Sequence, residues 1–382
     1  AMNDAKGCYD RIDHNFAILV LMFFGIPWKI ARAMFRPLQR GRHRIKTGYG
    51  LSKPVYGNED PEEPIAGIGQ GNGAGPSVWC LISTIVIKDC KKHGHATSIT
   101  TAITKKVASL LGFMFVDDAD LTTAADNPET SGTEMIQKMQ ALMTHWCGCI
   151  RATGGYIAPN KTRWFLISFY WTGTDWEYET KDSLPGEIFL KNEEGNEYTV
   201  SREEPTTAFE SLGVPLDLAN RSLDSYNAVV KICQTFAAQI RTAKCDKTSC
   251  LNAFNTSFMP TLSYRMIATQ FSEQQWNTAI RPAIRATMNA AGMAKNIAHA
   301  IFYGPLEYQG IGVQNPYILQ GIIHITTFLN EGACDSSTGE LLEANAKLFR
   351  VDMGIPFLLT NNDYNEKTYA AYMPSGTTPQ HY

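Results

Sequence analysis

The sequence predicts a mixed α+β front followed by an all-helical rear, and three patterns carry that prediction. An apolar stretch, Gly112–Val116, runs into Asp117-Asp118 and resumes as Ala119-Asp120-Leu121, as a strand does when it turns back on itself. Met135, Met139, Leu142 and Trp146 then recur at helical spacing. From Ser225 onward the chain turns helical, with Val229, Ile232, Phe236 and Ile240 on one apolar face.

Taken in chain order, residues 1–12 read as the end of a strand and a turn. Residues 13–40 read as helical, apolar through Phe16–Ile26 with an end near Gly25 and Pro27, then mixed with Lys29, Arg32, Arg36 and Arg40. Residues 41–66 read as a hairpin and a loop that ends in the acidic, proline-bearing Asn58–Pro64. Pro76 opens a helix that runs to about Lys92, because its missing N–H is not needed at the first helical position. Residues 110–124 are the strand–turn–strand, and a helix follows over 131–153 until Gly154-Gly155 stops it. Trp164–Trp171 reads as a strand. Residues 172–206 are polar, acidic and strand-forming, and are expected as a surface insertion. In the rear, Ser272 and Gln275 have capping-box spacing. Trp276, Ile280, Ile284 and Met288 continue a face that Pro282 is expected to kink or split. The expected domains are 1–214, a helical 215–325, and a tail, 326–382, of unassigned structure.

With 382 residues, 44% of them apolar and 19% charged, the chain has the bulk of a soluble protein with two or three domains. A net charge of −3 does not itself announce a nucleic-acid partner, but the local balance differs. Residues 14–58 carry eight Lys/Arg and no acid; residues 225–300 carry eight against two acids; residues 175–204 hold ten acids and three bases. The basic stretches suit a grip on a phosphate backbone, or they are solvated helix faces; charge alone leaves both open. The longest apolar run is too short to span a bilayer, and no signal peptide is visible. The chain reads as intracellular with no membrane partner; nucleus and cytoplasm are not distinguished. Nine cysteines form no CxxC pair. Cys147 and Cys149 are too close for a usual zinc pair, and Cys245 and Cys250 lack nearby histidines, so reduced, metal-free thiols are expected. His93 and His95 are expected as ordinary loop residues.

Three acids carry the chemistry. Asp4 lies at the end of the first strand, and Asp117 and Asp118 lie at the hairpin tip. Carboxylates from two strands, brought together, make an oxygen-rich site for two divalent cations and suit in-line attack of a hydroxyl on a phosphate. Such an arrangement points to a nucleotide-polymerising palm. Asp10 is expected to cap the following helix. Between the acids lies the turn Gly67-Ile-Gly-Gln-Gly-Asn-Gly-Ala-Gly-Pro-Ser. It lacks the Gly-Lys-Ser/Thr of a phosphate-binding loop. Gly69–Ala74 fits a loose dinucleotide fingerprint with Asp89 downstream, but the segment before Gly67 is too polar for the strand that reading needs. Small residues here let backbone approach a base pair and sugar, with the Gln70 amide free to hydrogen-bond.

In order, these segments resemble the reverse transcriptase family, of the non-LTR (LINE-type) retrotransposon kind. Asp4-Ala-Lys-Gly-Cys-Tyr-Asp10 resembles the first palm motif, and Gly69–Pro76 the second, with its Gln-Gly and later Pro. Phe115-Val-Asp-Asp118 resembles the third, usually YxDD. Asn160-Lys-Thr162 after Gly154-Gly155 resembles the fourth, Ser211-Leu-Gly-Val214 the fifth, and Tyr308–Val313 the GGLG-like segment beyond the thumb. The resemblance implies an antiparallel palm sheet backed by helices, then a helical thumb-like domain. It implies RNA-directed DNA polymerase activity on an RNA template with a DNA or RNA primer and dNTPs. The implied ions are two Mg2+, with Mn2+ as substitute; the oligomeric state is left open. Asp4 and Asp117 would bind the ions with Asp118 assisting. Tyr9 would lie under the incoming sugar, and Gln70, Gly71 and Pro76 would position nucleotide and template. Leu212 and Gly213 would place the primer end. Lys161 would protonate the leaving pyrophosphate, or be an ordinary surface lysine.

Phe115 stands where tyrosine is usual, and Gly75 where serine is common. The family's fingers would precede Asp4, yet the chain starts at Ala1, and no endonuclease or RNase H signature is visible. A fragment of a longer frame is therefore expected, weak or inactive alone. The rival reading is a palm–thumb remnant that only binds nucleic acid.

Overall fold

The computed structural model describes residues 1–57, 66–69, 71–127, 129–219, 223–294 and 297–354. The chain divides into two compact units: residues 1–98 with 109–204, and residues 99–108 with 205 onward.

The first unit is built on β1, Met2–Lys6, whose alternation turns Asn3 and Ala5 into the core and leaves Asp4 on the other face. Helix α1 is His14–Phe23, and its cap is Asp13, which accepts a hydrogen bond from Phe16 N at 2.7 Å. This corrects the expectation for Asp10, which lies in a preceding single turn, Tyr9–Arg11. Gly25, at φ +91°, and Pro27 separate α1 from α2, Trp28–Arg40. Short pairs, Arg42–His43 with Tyr56–Gly57 and Lys46–Thr47 with Gly50–Leu51, make the expected hairpin region. Helix α3, Gly75–Lys92, carries Pro76 in its first turn. Strands β2, Gly112–Phe115, and β3, Asp118–Leu121, form the double-aspartate hairpin. Helix α4, Gly132–Ala152, opens in a complete Ser131/Glu134 capping box, and Gly154 at φ +93° follows its end.

Next come β4, Tyr156–Ile157, and β5, Arg163–Phe165. The strand expected through Trp171 is interrupted; Phe169–Trp171 instead pairs with Trp176–Tyr178 in its own hairpin. Strands β6, Ile188–Lys191, and β7, Glu197–Glu203, complete one sheet of order β6-β7-β5-β1-β3-β2, with β4 also on β1. The pairings are antiparallel except β5 with β7. Residues 172–206 are therefore not simply a surface insertion. Their β6 and β7 form one end of the sheet, and Ile188, Leu190 and Val200 are buried in the same core as Trp146 and Trp164. Helices α1, α3 and α4 supply the rest of that core through residues such as Ile18, Leu21, Ile82, Val86, Leu142 and Met143. The unit is thus an α+β fold with a mostly antiparallel sheet. The opposite sheet face stays open around β2, where Phe113 and Phe115 are exposed.

In the second unit, a hairpin of β8, Phe209–Ser211, and β9, Val214–Leu216, precedes the helices. The division at Glu204/Pro205 falls ahead of the expected 214/215 junction and groups this hairpin with them. The helices are α5 (Leu223–Thr242), α6 (Lys247–Ala253), α7 (Met259–Met266), α8 (Glu273–Ala290), α9 (His299–Phe302), α10 (Pro316–Gly332) and α11 (Ser337–Asp352). Helix α8 carries the Ser272/Gln275 capping box and runs unbroken through Pro282, so the expected split does not occur. Val229 and Cys233 of α5 share a core with Trp276, Ala279, Ile280 and Ala283 of α8, where alanines allow close approach. Buried Gln320 of α10 accepts from Trp276 Nε1 at 3.0 Å and Phe271 N at 3.1 Å, which satisfies both donors. Helix α11 gives structure to part of the 326–382 tail; residues 355–382 lie outside the described residues. Among the described residues, no helix is long and apolar enough to cross a membrane.

Candidate active site

The register of β1 on β3 brings the first acids together. Asp4 lies directly opposite Asp118, Asn3 opposite Ala119, and Met2 opposite Asp120. Facing residues of an antiparallel pair share a sheet face, and like charges placed so are unfavourable unless compensated. Asp117 occupies the tip of the β2–β3 hairpin, one residue before Asp118. Phe115 pairs with Asp118, so Val116 and Asp117 form a two-residue turn.

That tip is strained. Val116 has φ +58°, a left-handed conformation in which a β-branched residue is an outlier. Two contacts hold it. Trp79 Nε1 of α3 donates a short hydrogen bond to Val116 O, and Ala5 N donates to Asp117 O at 2.9 Å. Beneath, Trp146 Nε1 donates to Asn3 Oδ1 at 3.0 Å, and Asn3 Nδ2 donates to Ala119 O at 3.0 Å. This buried chain fixes β1 against β3 one residue away from both Asp4 and Asp118.

The glycine-rich segment packs on the turn after β1. Ile68 N donates to Tyr9 O at 2.7 Å, Gly67 N donates to Ile12 O at 2.9 Å, and His14 Nε2 lies 2.6 Å from Gly67 O. Gly67 has φ +85°, and a Cβ there would lie 2.4 Å from the Asp10 backbone. Gly67→Ala should therefore destabilise the first unit by about 1–3 kcal/mol, a strained-backbone cost, read as a lower denaturation midpoint. The half-buried Tyr9 lies beside Gly75, where a Cβ would be 3.5 Å from the Tyr9 ring. Gly71, at φ +85° with open space about it, and Pro76 are exposed. Gln70 lies outside the described residues. Asp89 sits on α3 itself, with no strand between it and the glycines, which removes the dinucleotide reading.

The electrostatics report a surplus of negative charge. Burial, then Asp117 and Asp4, push the Asp118 carboxyl above its usual range, with Lys161 opposing. Burial, then Asp117, Asp10 and Asp4, push the Cys8 thiol up to about 12. Burial, then Cys8 and Asp117, raise Tyr9. Lys161, at the end of the short turn Pro159–Lys161, donates to Asp4 Oδ2 at 2.6 Å. That hydrogen bond, the charge of Asp4 and the other two acids raise the lysine, so it stays protonated. Asp4, Asp117 and Asp118 are hard oxygen donors, a set that fits Mg2+ or Mn2+ better than ions that prefer thiolate. Among the described residues, the groups whose ligand atoms gather within 4.8 Å of one another lie elsewhere, around His145.

Leu212 and Gly213 belong to the second unit, at the β8–β9 tip. Both have positive φ, +48° and +78°, and Tyr264 OH donates to Leu212 O at 2.8 Å. A left-handed leucine held by a tyrosine is a second strained tip on a non-glycine residue. Asn3 and Trp79 escaped the sequence reading, and Trp146 was read only as part of an apolar helix face. Apolar helix positions reveal that a tryptophan is buried, but not which carbonyl or amide its N–H will meet.

No protein-family model matches this chain, and no curated protein matches it.

Proposed function

We propose that the first unit is the palm of an RNA-directed DNA polymerase, a nucleotidyltransferase that extends a primer 3′-hydroxyl from a dNTP on an RNA template. The observation that carries this reading is Asp4 facing Asp118 across paired strands, with Asp117 on a strained, doubly anchored tip beside them. Motif order along the chain supports it. When bound, two Mg2+ ions, or Mn2+ in their place, would make the primer 3′-hydroxyl more acidic and offset charge on the leaving pyrophosphate. Asp4, Asp117 and Asp118 would hold them. Tyr9 would lie under the sugar of the dNTP, and Gly71 and Pro76, with Gln70 by the resemblance alone, would position nucleotide and template. Protonated Lys161 gives its proton to the leaving pyrophosphate. For Leu212 and Gly213, in the second unit, the primer-placing role rests on the resemblance alone.

A grip on nucleic acid has a basis on α2. Lys29, Arg32, Arg36 and Arg40 are all exposed, at spacings that form one stripe opposite the buried Ala31 and Phe35. The stripe suits phosphates, and binding through it weakens steeply with salt.

Lys161→Gln should slow incorporation by about 100-fold, the low end for loss of a general acid. The dNTP concentration for half-maximal rate should change little, and the slowing should shrink when a better leaving group replaces pyrophosphate. An ordinary surface lysine would show none of this.

A second reading, nucleic-acid binding without synthesis, draws on the same Lys161–Asp4 pair, which already neutralises one acid. One experiment separates the two. Fluorescence anisotropy follows a dideoxy-terminated DNA primer on an RNA template, with Mg2+ and each dNTP in turn. A polymerase palm tightens its hold at least tenfold with the complementary dNTP alone, and Asp117→Asn abolishes that gain. Equal binding with all dNTPs, or with none, supports the binding-only module.

A further inference from the structure

At the end of α3 away from the acids, two helices bring together side chains that the sequence keeps far apart. Asp89 and Cys90 come from the last turns of α3, with His93 just beyond; His145 and Cys149, spaced i,i+4, come from one face of α4. Asp89 Oδ2 lies 2.8 Å from His145 Nε2, 3.5 Å from Cys149 Sγ and 3.6 Å from His93 Nδ1. The ligand atoms of Cys90, His145 and Cys149 lie within 4.8 Å of one another, and Cys90 is fully buried. Rings of His93 and His95 flank His145, with centroids 4.5 and 5.0 Å away.

We propose that Cys90, His145 and Cys149, with Asp89 in the fourth position, form a structural Zn2+ site that ties the end of α3 to α4. Two thiolates, one imidazole and one carboxylate are a donor set zinc accepts in tetrahedral geometry. In a tetrahedral site two sulfurs each about 2.3 Å from zinc lie about 3.8 Å apart, so the Cys90 and Cys149 sulfurs, within 4.8 Å of one another, need to close by at most about 1 Å. His93, whose Nδ1 lies 2.9 Å from the Asp89 backbone carbonyl, brings a ligand atom within 4.8 Å of those of Asp89 and His145 and so borders the same site. Asp89 lies ten residues, about 15 Å at 1.5 Å per residue, along α3 from Trp79, which meets the Val116 tip, so this ion is separate from those proposed at Asp4 and Asp117. The proposal departs from the expectation of metal-free thiols. Spacing rules for zinc pairs consider neighbours in sequence, whereas these ligands are neighbours only across the α3–α4 contact.

Cobalt is the direct probe. The reduced, metal-stripped full chain is titrated with Co2+ and followed by absorbance. The expected result is one equivalent that gives intense visible bands of a four-coordinate ion and a near-ultraviolet thiolate charge-transfer band, bleached by one equivalent of Zn2+. Cys149→Ser and Cys90→Ser should weaken or lose the charge-transfer band while circular dichroism shows the fold retained. Cys334→Ser, an exposed cysteine of the second unit, and Asp117→Asn should keep it. A wild-type chain with no charge-transfer band overturns the site, as does a band that survives intact in a Cys90→Ser/Cys149→Ser double variant.

Discussion

Asp117→Asn is expected to lower single-nucleotide incorporation on an RNA template by at least about 1,000-fold, equal to about 4 kcal/mol of transition-state stabilisation. The exchange keeps the shape of the side chain and removes its charge. The tip should stay in place, because its anchors are backbone atoms: Ala5 N to Asp117 O, and the Trp79 indole to Val116 O. The loss should therefore appear in rate, with an unchanged denaturation midpoint and unchanged primer–template binding without dNTP. Asp4→Asn should lose as much, and should also release Lys161, whose ammonium now lies 2.6 Å from Asp4 Oδ2. Chemical quench and gel analysis of one added nucleotide reads the effect. A variant that incorporates at the wild-type rate would remove Asp117 from the chemistry.

Trp146→Ala should be the most damaging single change to stability. The side chain is fully buried between α4 and the sheet. Truncating such a tryptophan costs about 3–5 kcal/mol through lost burial and the cavity left behind. It also strands the buried Asn3 amide oxygen, which adds about 1–3 kcal/mol. Domain stabilities are about 5–15 kcal/mol, so the first unit would be left marginal or unfolded. Trp146→Phe separates the two contributions, since it keeps most of the volume and removes only the N–H. It should cost about 1–3 kcal/mol and should reduce incorporation beyond what stability explains, because Asn3 sets the β1–β3 register next to Asp4 and Asp118. Urea denaturation of both variants checks the order. A cost near zero for Trp146→Phe would mean that the hydrogen bond to Asn3 contributes nothing.

The parts of this molecule legible in its sequence are those that local rules govern. Pro76 at a helix start, Ser272 before Gln275 and the glycines after α4 are each set by the needs of a helix end, and each occurs where expected. Asp117 and Asp118 were legible because a charged pair that interrupts an apolar strand has few places to go but a hairpin tip. What was not legible depends on partners distant in sequence. Residues 188–200 read as surface because acids line the stretch, yet alternate positions, Ile188 and Leu190, face the core once β6 joins β7. Pro282 should interrupt a helix by local rules, but α8 runs through it with Ala279, Ile280 and Ala283 all buried against its own core. The left-handed backbone of Val116 runs against the preference of its own residue type, and only the contacts from Trp79 and Ala5 explain it.

The most direct test of the two-ion palm is binding of a dNTP–Mn2+ complex, which needs no turnover. Electron paramagnetic resonance counts free Mn2+ as it is added to the full chain with primer–template and the complementary dNTP, with Zn2+ supplied beforehand at one equivalent. The account predicts two Mn2+ taken up per chain in the presence of the dNTP, reduced to one or none in both Asp4→Asn and Asp117→Asn. Equal uptake by the wild type and the two variants would contradict it.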